Sequence, residues 1–171
     1  YKIGGPARYY CQPESSKDLM ETTEFIHSKK VPWVLLGAGS NTLFDDRGFS
    51  GLVIHTNKIN RQLSDEGAQV NAGSSVLVIQ FLRLAMQKGL SGFEFLVGIP
   101  GSMGGVIAMN AGTKIGEAKD VLESVTAYDL ATGLDRSITK HHLKFSYRKQ
   151  HFLRPTELIL GGVFIGTITS P

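Results

Sequence analysis

The 171-residue chain carries 18 Lys and Arg against 15 Asp and Glu, a formal net charge of +3, with 42% hydrophobic and 19% charged residues. This is ordinary globular composition, and its scattered, mildly basic charge favours an acidic small molecule and gives little support to nucleic-acid binding. A single cysteine, Cys11, excludes an internal disulfide framework and fits a reducing compartment, while no apolar run approaches the ~18 residues of a membrane span.

The length suffices for one good core or two small subdomains sharing one. Arg8-Tyr9-Tyr10-Cys11 reads as a short strand after the glycine turn Ile3-Gly4-Gly5-Pro6-Ala7. Ser15 or Ser16 then caps a helix to about Lys29, with Leu19, Thr22 or Thr23, and Ile26 at helical spacing. Residues 31–36 form a continuous apolar run, the pattern of a buried parallel strand, and residues 51–55 the next strand. A polar stretch, 57–67, precedes a strand at 68–72. Ser74 or Ser75 is expected to cap a largely buried helix over 76–88 with Ile79, Leu82 and Met86 facing one way, and Gly89 stands where a left-handed cap belongs. Residues 121–130 and 134–139 read as a hairpin across Ala131-Thr132-Gly133, and 158–165 as a last strand. Two units follow, 1–58 and 59–171, with no repeat or linker between them.

Glycine is the anomaly: the chain holds 20 where an average chain of this length has about 12. The excess concentrates in two uncharged segments. One is Gly37-Ala38-Gly39-Ser40-Asn41; the other, residues 98–112, has five glycines in fifteen residues. Such a stretch is unfavourable as helix or strand, each glycine costing about 1 kcal/mol against alanine in a helix interior. Either the segments are tight turns, or they bring bare backbone N–H groups to a large anionic cofactor. The first reads Gly-x-Gly-x-x-Thr with no capped helix after it, which argues against a Rossmann fingerprint, and neither carries the Gly-Lys-Ser/Thr of a P-loop. No Gly-x-Ser-x-Gly elbow is present, so acyl hydrolysis has no support. Of the five histidines, His141-His142 are adjacent rather than four apart, so no metal site is expected; Cys11 reads as a packed thiol.

Five blocks taken in series carry more than any one of them. Ile3-Gly4-Gly5-Pro6-Ala7, Leu36-Gly37-Ala38-Gly39-Ser40-Asn41-Thr42-Leu43, Gly92 through Gly98-Ile99-Pro100-Gly101 with Gly104-Gly105, Met109-Asn110-Ala111-Gly112, and Phe145-Ser146-Tyr147-Arg148 together resemble the UDP-N-acetylenolpyruvoylglucosamine reductase family. Its members are flavoenzymes that complete UDP-N-acetylmuramic acid in peptidoglycan synthesis.

The resemblance implies an α+β, two-subdomain FAD-binding fold of the vanillyl-alcohol-oxidase (PCMH) type, with non-covalent FAD and NADPH as hydride donor. The pyrophosphate is expected between the two loops, met by backbone N–H groups and by Ser40, Asn41 and Ser102. The cofactor set is then Gly37, Ala38, Gly39, Ser40, Asn41, Thr42, Gly98, Ile99, Pro100, Gly101, Ser102, Gly104, Gly105, Asn110, Ala111 and Gly112. Tyr147 and Arg148 match the family's substrate pair, Arg148 holding the enolpyruvyl carboxylate and stabilising an enolate. Gln150 stands where the family usually has Ser. The family's third domain, source of the proton-donor Ser and a Glu, has no counterpart before Pro171, so the chain alone is expected not to turn over a UDP-sugar. A silent FAD-binding module and a sugar or alcohol oxidase of the same fold are the alternatives. A monomeric, cytoplasmic protein without nucleic-acid or membrane partners is expected.

Overall fold

A computed structural model describes residues 4–169; Ile3 of the opening glycine turn lies outside them. Two sheets of opposite character organise the chain. The first is parallel, built from β1 (Ala7–Cys11), β2 (Trp33–Leu36) and β3 (Phe49–His55) in the order β1-β3-β2. Helix α1 (Ser16–Lys29) makes the crossover from β1 to β2. It starts at Ser15, whose hydroxyl accepts from the Asp18 N–H while the Asp18 carboxylate accepts from the Ser15 N–H. Leu19, Thr22 and Thr23 form its buried face. The expected buried strand at 31–36 is shorter than its apolar run, and every residue of β2 is only half-buried. As an edge strand with one helix against it, it keeps one side near solvent.

The second sheet is antiparallel and contains β4 (Leu63–Glu66), β5 (Gln69–Gly73), β6 (Leu122–Asp129), β7 (Leu134–Thr139) and β8 (Glu157–Ile165), in the order β7-β6-β8-β5-β4. The expected 121–139 hairpin is its β6–β7 pair. Strand β4 falls inside the stretch read as polar loop. Alternation of half-buried Leu63 and Asp65 with exposed Ser64 and Glu66 is an edge-strand pattern, too short and too polar to stand out.

Helices α2 (Val78–Gln87) and α3 (Met103–Ala108) lie on this sheet over the larger core. Helix α2 begins two residues later than expected, and its cap is Leu77 rather than a serine: the Gln80 side chain accepts the Leu77 N–H. Its buried face is Val78, Phe81 and Ala85, whereas Ile79 and Met86 are 54% and 79% exposed. Apolar residues nearly encircle this helix. The polar positions Gln80, Arg83 and Gln87 define the solvent stripe, and Ile79 and Met86 flank it. Phe81 meets Phe93 and Phe164 edge to face at 4.9 and 5.2 Å. Gly89 closes the helix in the left-handed region, φ +63°.

A smaller core joins the two sheets. Leu19, Leu52 and Ile54 from the parallel unit bury against Tyr128, Leu130 and Leu158 from the far ends of β6 and β8. The two long strands thus serve both cores, which fixes the parallel unit against the antiparallel one. Arg136 anchors the same region with a two-pronged ion pair to buried Glu157, at 2.6 and 2.8 Å, and an N–H to the Phe152 carbonyl. That arginine holds the Glu157 carboxyl below the usual carboxylate range. Among the described residues no helix is long and apolar enough to cross a membrane.

Candidate functional site

Residues 37–42 leave the end of β2, at the carboxyl edge of the parallel sheet, where α/β folds place ligands. Residues 98–112 start as a loop and then fold, in part, into α3, against the expectation of no regular structure. The reason is close packing. A Cβ on Gly104 would come within 2.8 Å of the Ser74 Cβ, so glycine lets α3 sit directly on the end of β5. The Gly104 N–H donates to the Ser74 carbonyl, and the Met103 N–H to the Val76 carbonyl. Gly101 turns the chain into the helix at φ +141°. The two loops touch: the Ser40 hydroxyl donates to the Pro100 carbonyl at 3.0 Å.

Between them opens a cavity of about 530 Å³, within the range of small-molecule sites. Its walls include residues 37–42, 99–102, 104–105 and 111–112 together with Arg148. Two expected cofactor residues are not on the wall. Gly98 is exposed, at φ +79°, with open space around it. Asn110 is fully buried at φ +40°, its amide donating to Glu117 and to the Ser146 carbonyl and its Oδ1 accepting the Lys119 N–H. Asn110 thereby ties the end of the α3 segment to the hairpin Phe145–Ser146/Lys149–Gln150. Lys119 and then Asn110 hold the Glu117 carboxyl below its ordinary range.

Among the described residues, Arg148 is the sole charged residue on the cavity wall. It sits in the left-handed region at φ +55°, at the tip of that hairpin. Its Nη1 donates to the Asn110 carbonyl at 3.3 Å and its Nη2 to the Gly112 carbonyl at 2.6 Å. Tyr147 is 81% exposed and off the cavity wall, its ring centroid 5.2 Å from the Arg148 guanidinium carbon. Gln150 accepts the Phe152 and Leu153 N–H groups, turning the chain so that Leu153 reaches the wall.

The sequence reading missed the back wall: Leu35, Thr56, Ser74, Leu153, Leu158 and Ile159. Thr56 follows β3 at the same carboxyl edge as the first loop, so its position in a parallel sheet was a usable signal. Leu35 comes from β2 itself, and the remaining four are brought in by β5, β8 and the hairpin, which only the tertiary fold aligns. Ser74 is 2% exposed and its Oγ has no hydrogen-bond partner among the described residues. A buried hydroxyl left so costs about 1–3 kcal/mol. A cavity lined by small residues, neutral donors, one orphaned hydroxyl and one arginine suits a long cofactor bearing two phosphates, and a flavin dinucleotide fits these residues.

Comparison with known proteins points the same way. Residues 7–136 match the family described as FAD binding domain. The chain is 39% identical over 165 residues to UDP-N-acetylenolpyruvoylglucosamine reductase of Chlamydia muridarum, a match covering 96% of this chain and 55% of that protein. The protein of the same name from Desulforamulus reducens is 38% identical over 148 residues, 86% of this chain and 48% of its own length. The chain therefore spans about half the length of the curated relatives it matches. The crystal structure of UDP-N-acetylenolpyruvylglucosamine reductase from Thermus caldophilus superposes with a TM-score of 0.82 at 32% identity, covering 98% of this chain and 58% of the other. The 6-hydroxy-D-nicotine oxidase of Arthrobacter nicotinovorans, at 12% identity and a TM-score of 0.70 over 96% of this chain and 37% of its own, shares the fold alone. The fold is thus the α+β, two-subdomain FAD-binding type expected from the sequence.

Proposed function

The chain belongs to the FAD-binding domain family, and on that premise we propose that it is the FAD-binding part of a UDP-N-acetylenolpyruvoylglucosamine reductase, using NADPH to form UDP-N-acetylmuramate. The observation that carries this reading is the cavity between the two glycine loops, with Arg148 as its lone cation among the described residues. Backbone N–H groups of residues 37–42 and of Gly101, Ser102 and Gly105, with the Ser102 and Asn41 side chains, would hold the cofactor, neutral donors meeting its phosphates at close range. Bound there, FAD would supply the two-electron chemistry, accepting hydride from NADPH and delivering it to the enolpyruvyl carbon.

The chain's own contribution is placement and charge. Arg148 spends two of its five N–H donors on the Asn110 and Gly112 carbonyls, leaving three to grip a substrate carboxylate. Those two bonds set the guanidinium beforehand, so that it meets the charge developing on the enolate without reorganising. Exposed Tyr147 supports the guanidinium from its outer side. The resemblance assigns the proton donor and a second substrate wall to the part of the relatives that this chain does not match. The 171 residues by themselves therefore hold cofactor without turning over substrate. A monomer in the cytoplasm remains part of this proposal.

One titration tests it. Flavin fluorescence should change saturably when FAD is added, with half-saturation at tens of micromolar or below. The loaded protein should show no substrate-dependent NADPH oxidation under anaerobic conditions. No saturable change at that concentration overturns the cofactor assignment; turnover near one per second overturns the need for a further domain.

A further inference from the structure

Among the described residues, Ser74 is the one buried polar group on the cavity wall left without a partner. It stands just after β5, with its N–H given to the Leu160 carbonyl and its own carbonyl taken by the Gly104 N–H. Both backbone groups are thus committed, and the approach of Gly104 leaves the side chain no room to move towards α3. Its neighbour shows what an ordinary serine does here: the Ser75 hydroxyl donates to the Thr56 carbonyl. The Ser74 Oγ finds no such partner among the described residues although it is buried in a residue 2% exposed, and Ser74 is one of the residues that line the cavity. The other buried orphan, the Tyr128 hydroxyl, lies in the smaller core and off the cavity wall. A hydroxyl that is buried, fixed by its backbone and unpaired beside a cofactor-sized cavity is a donor awaiting the occupant.

We infer that Ser74 is a cofactor-binding residue, its hydroxyl donating a hydrogen bond to an acceptor atom of FAD. This rests on the FAD reading above. It also predicts an unusual combination of effects. Removing the hydroxyl takes away a donor that the cofactor-free protein does not use, so the cofactor-free protein loses no stability. The bound state loses a hydrogen bond, which is about a tenfold effect on affinity.

The test measures FAD dissociation constants by calorimetry, and melting temperatures of the cofactor-free protein, for the 171-residue chain and its Ser74→Ala and Ser74→Cys variants. The inference expects the Ala variant to bind about tenfold more weakly and to melt at the same temperature or higher. The Cys variant, with a weaker donor, falls between. Unchanged affinity in Ser74→Ala, while the parent chain binds FAD, overturns the inference and leaves the FAD reading standing. A lowered melting temperature with unchanged affinity makes the hydroxyl structural and also overturns it, as does failure of both variants to fold. Absence of binding by the parent chain overturns the FAD reading and this inference together.

Discussion

The two glycine segments look alike in sequence and do different things. Residues 37–42 stay an open loop, half-buried or exposed, and a Cβ at Gly37 or Gly39 would meet nothing closer than 3.4 Å. Residues 103–108 are helix, and there glycine makes room for the chain's own backbone, with Gly104 pressed on Ser74. Glycine enrichment around this cavity therefore has two sources: in the first loop it leaves the backbone open, and in the second it lets the chain's own backbone pack closely.

Three changes break or sharpen that difference. The largest effect is expected from Gly104→Val. Its branched side chain must displace Ser74, an overpacking that costs about 3 kcal/mol, and chemical denaturation should show it with or without FAD. A variant as stable as the parent but deficient in FAD would instead make Gly104 a glycine required for access of the ligand. Next comes Gly39→Ala. The position has space but lies at φ +73°, so strain of about 1 kcal/mol is expected, with FAD affinity reduced because the loop backbone shifts. Stability unchanged to within a few tenths of a kcal/mol would mean that the loop rearranges freely.

The smallest effect is a pH dependence confined to the second segment. Glu117 has its pKa lowered by the Lys119 and Asn110 contacts. A carboxyl depressed in the folded state contributes stability that is present above its unfolded value, about 4.3, and is lost as pH falls through the folded value. Below that range the Asn110 tie should loosen. Hydrogen exchange of the Lys119 amide, which donates to the Asn110 Oδ1, should accelerate at acid pH in the parent. In Glu117→Gln it should be fast already at neutral pH. Identical exchange in the two proteins at neutral pH would show that the Glu117 charge does not hold the segment.

How much of this was legible varied by residue. The serine cap and the apolar spacing after it wrote α1 almost to its ends, because a cap and a buried stripe are local. The turn at 131–133 between two strand-like runs wrote a hairpin. Helix α2 resisted, since an apolar girdle does not say which side a sheet will cover. Strand β4 resisted because its pairing with β5, and nothing in its own residues, makes it a strand. At the site, the loops and Arg148 were readable as motifs. Asn110 was readable only as part of one, and its burial under the hairpin reassigns its side chain to holding the segment together.

By itself the sequence determined what depends on near neighbours along the chain: helix caps, turns, the two uncharged glycine segments and the Tyr147-Arg148 pair. The tertiary structure alone decided which groups face one another across the cavity. Ser40 bonds to Pro100 sixty residues away, Arg148 to the Asn110 carbonyl, and Ser74 is stranded against Gly104 with its hydroxyl unpaired. These follow from the parallel unit docking on the far ends of β6 and β8 and from α3 lying on β5. Packing between distant segments is a property of the whole core, and no window of sequence contains it.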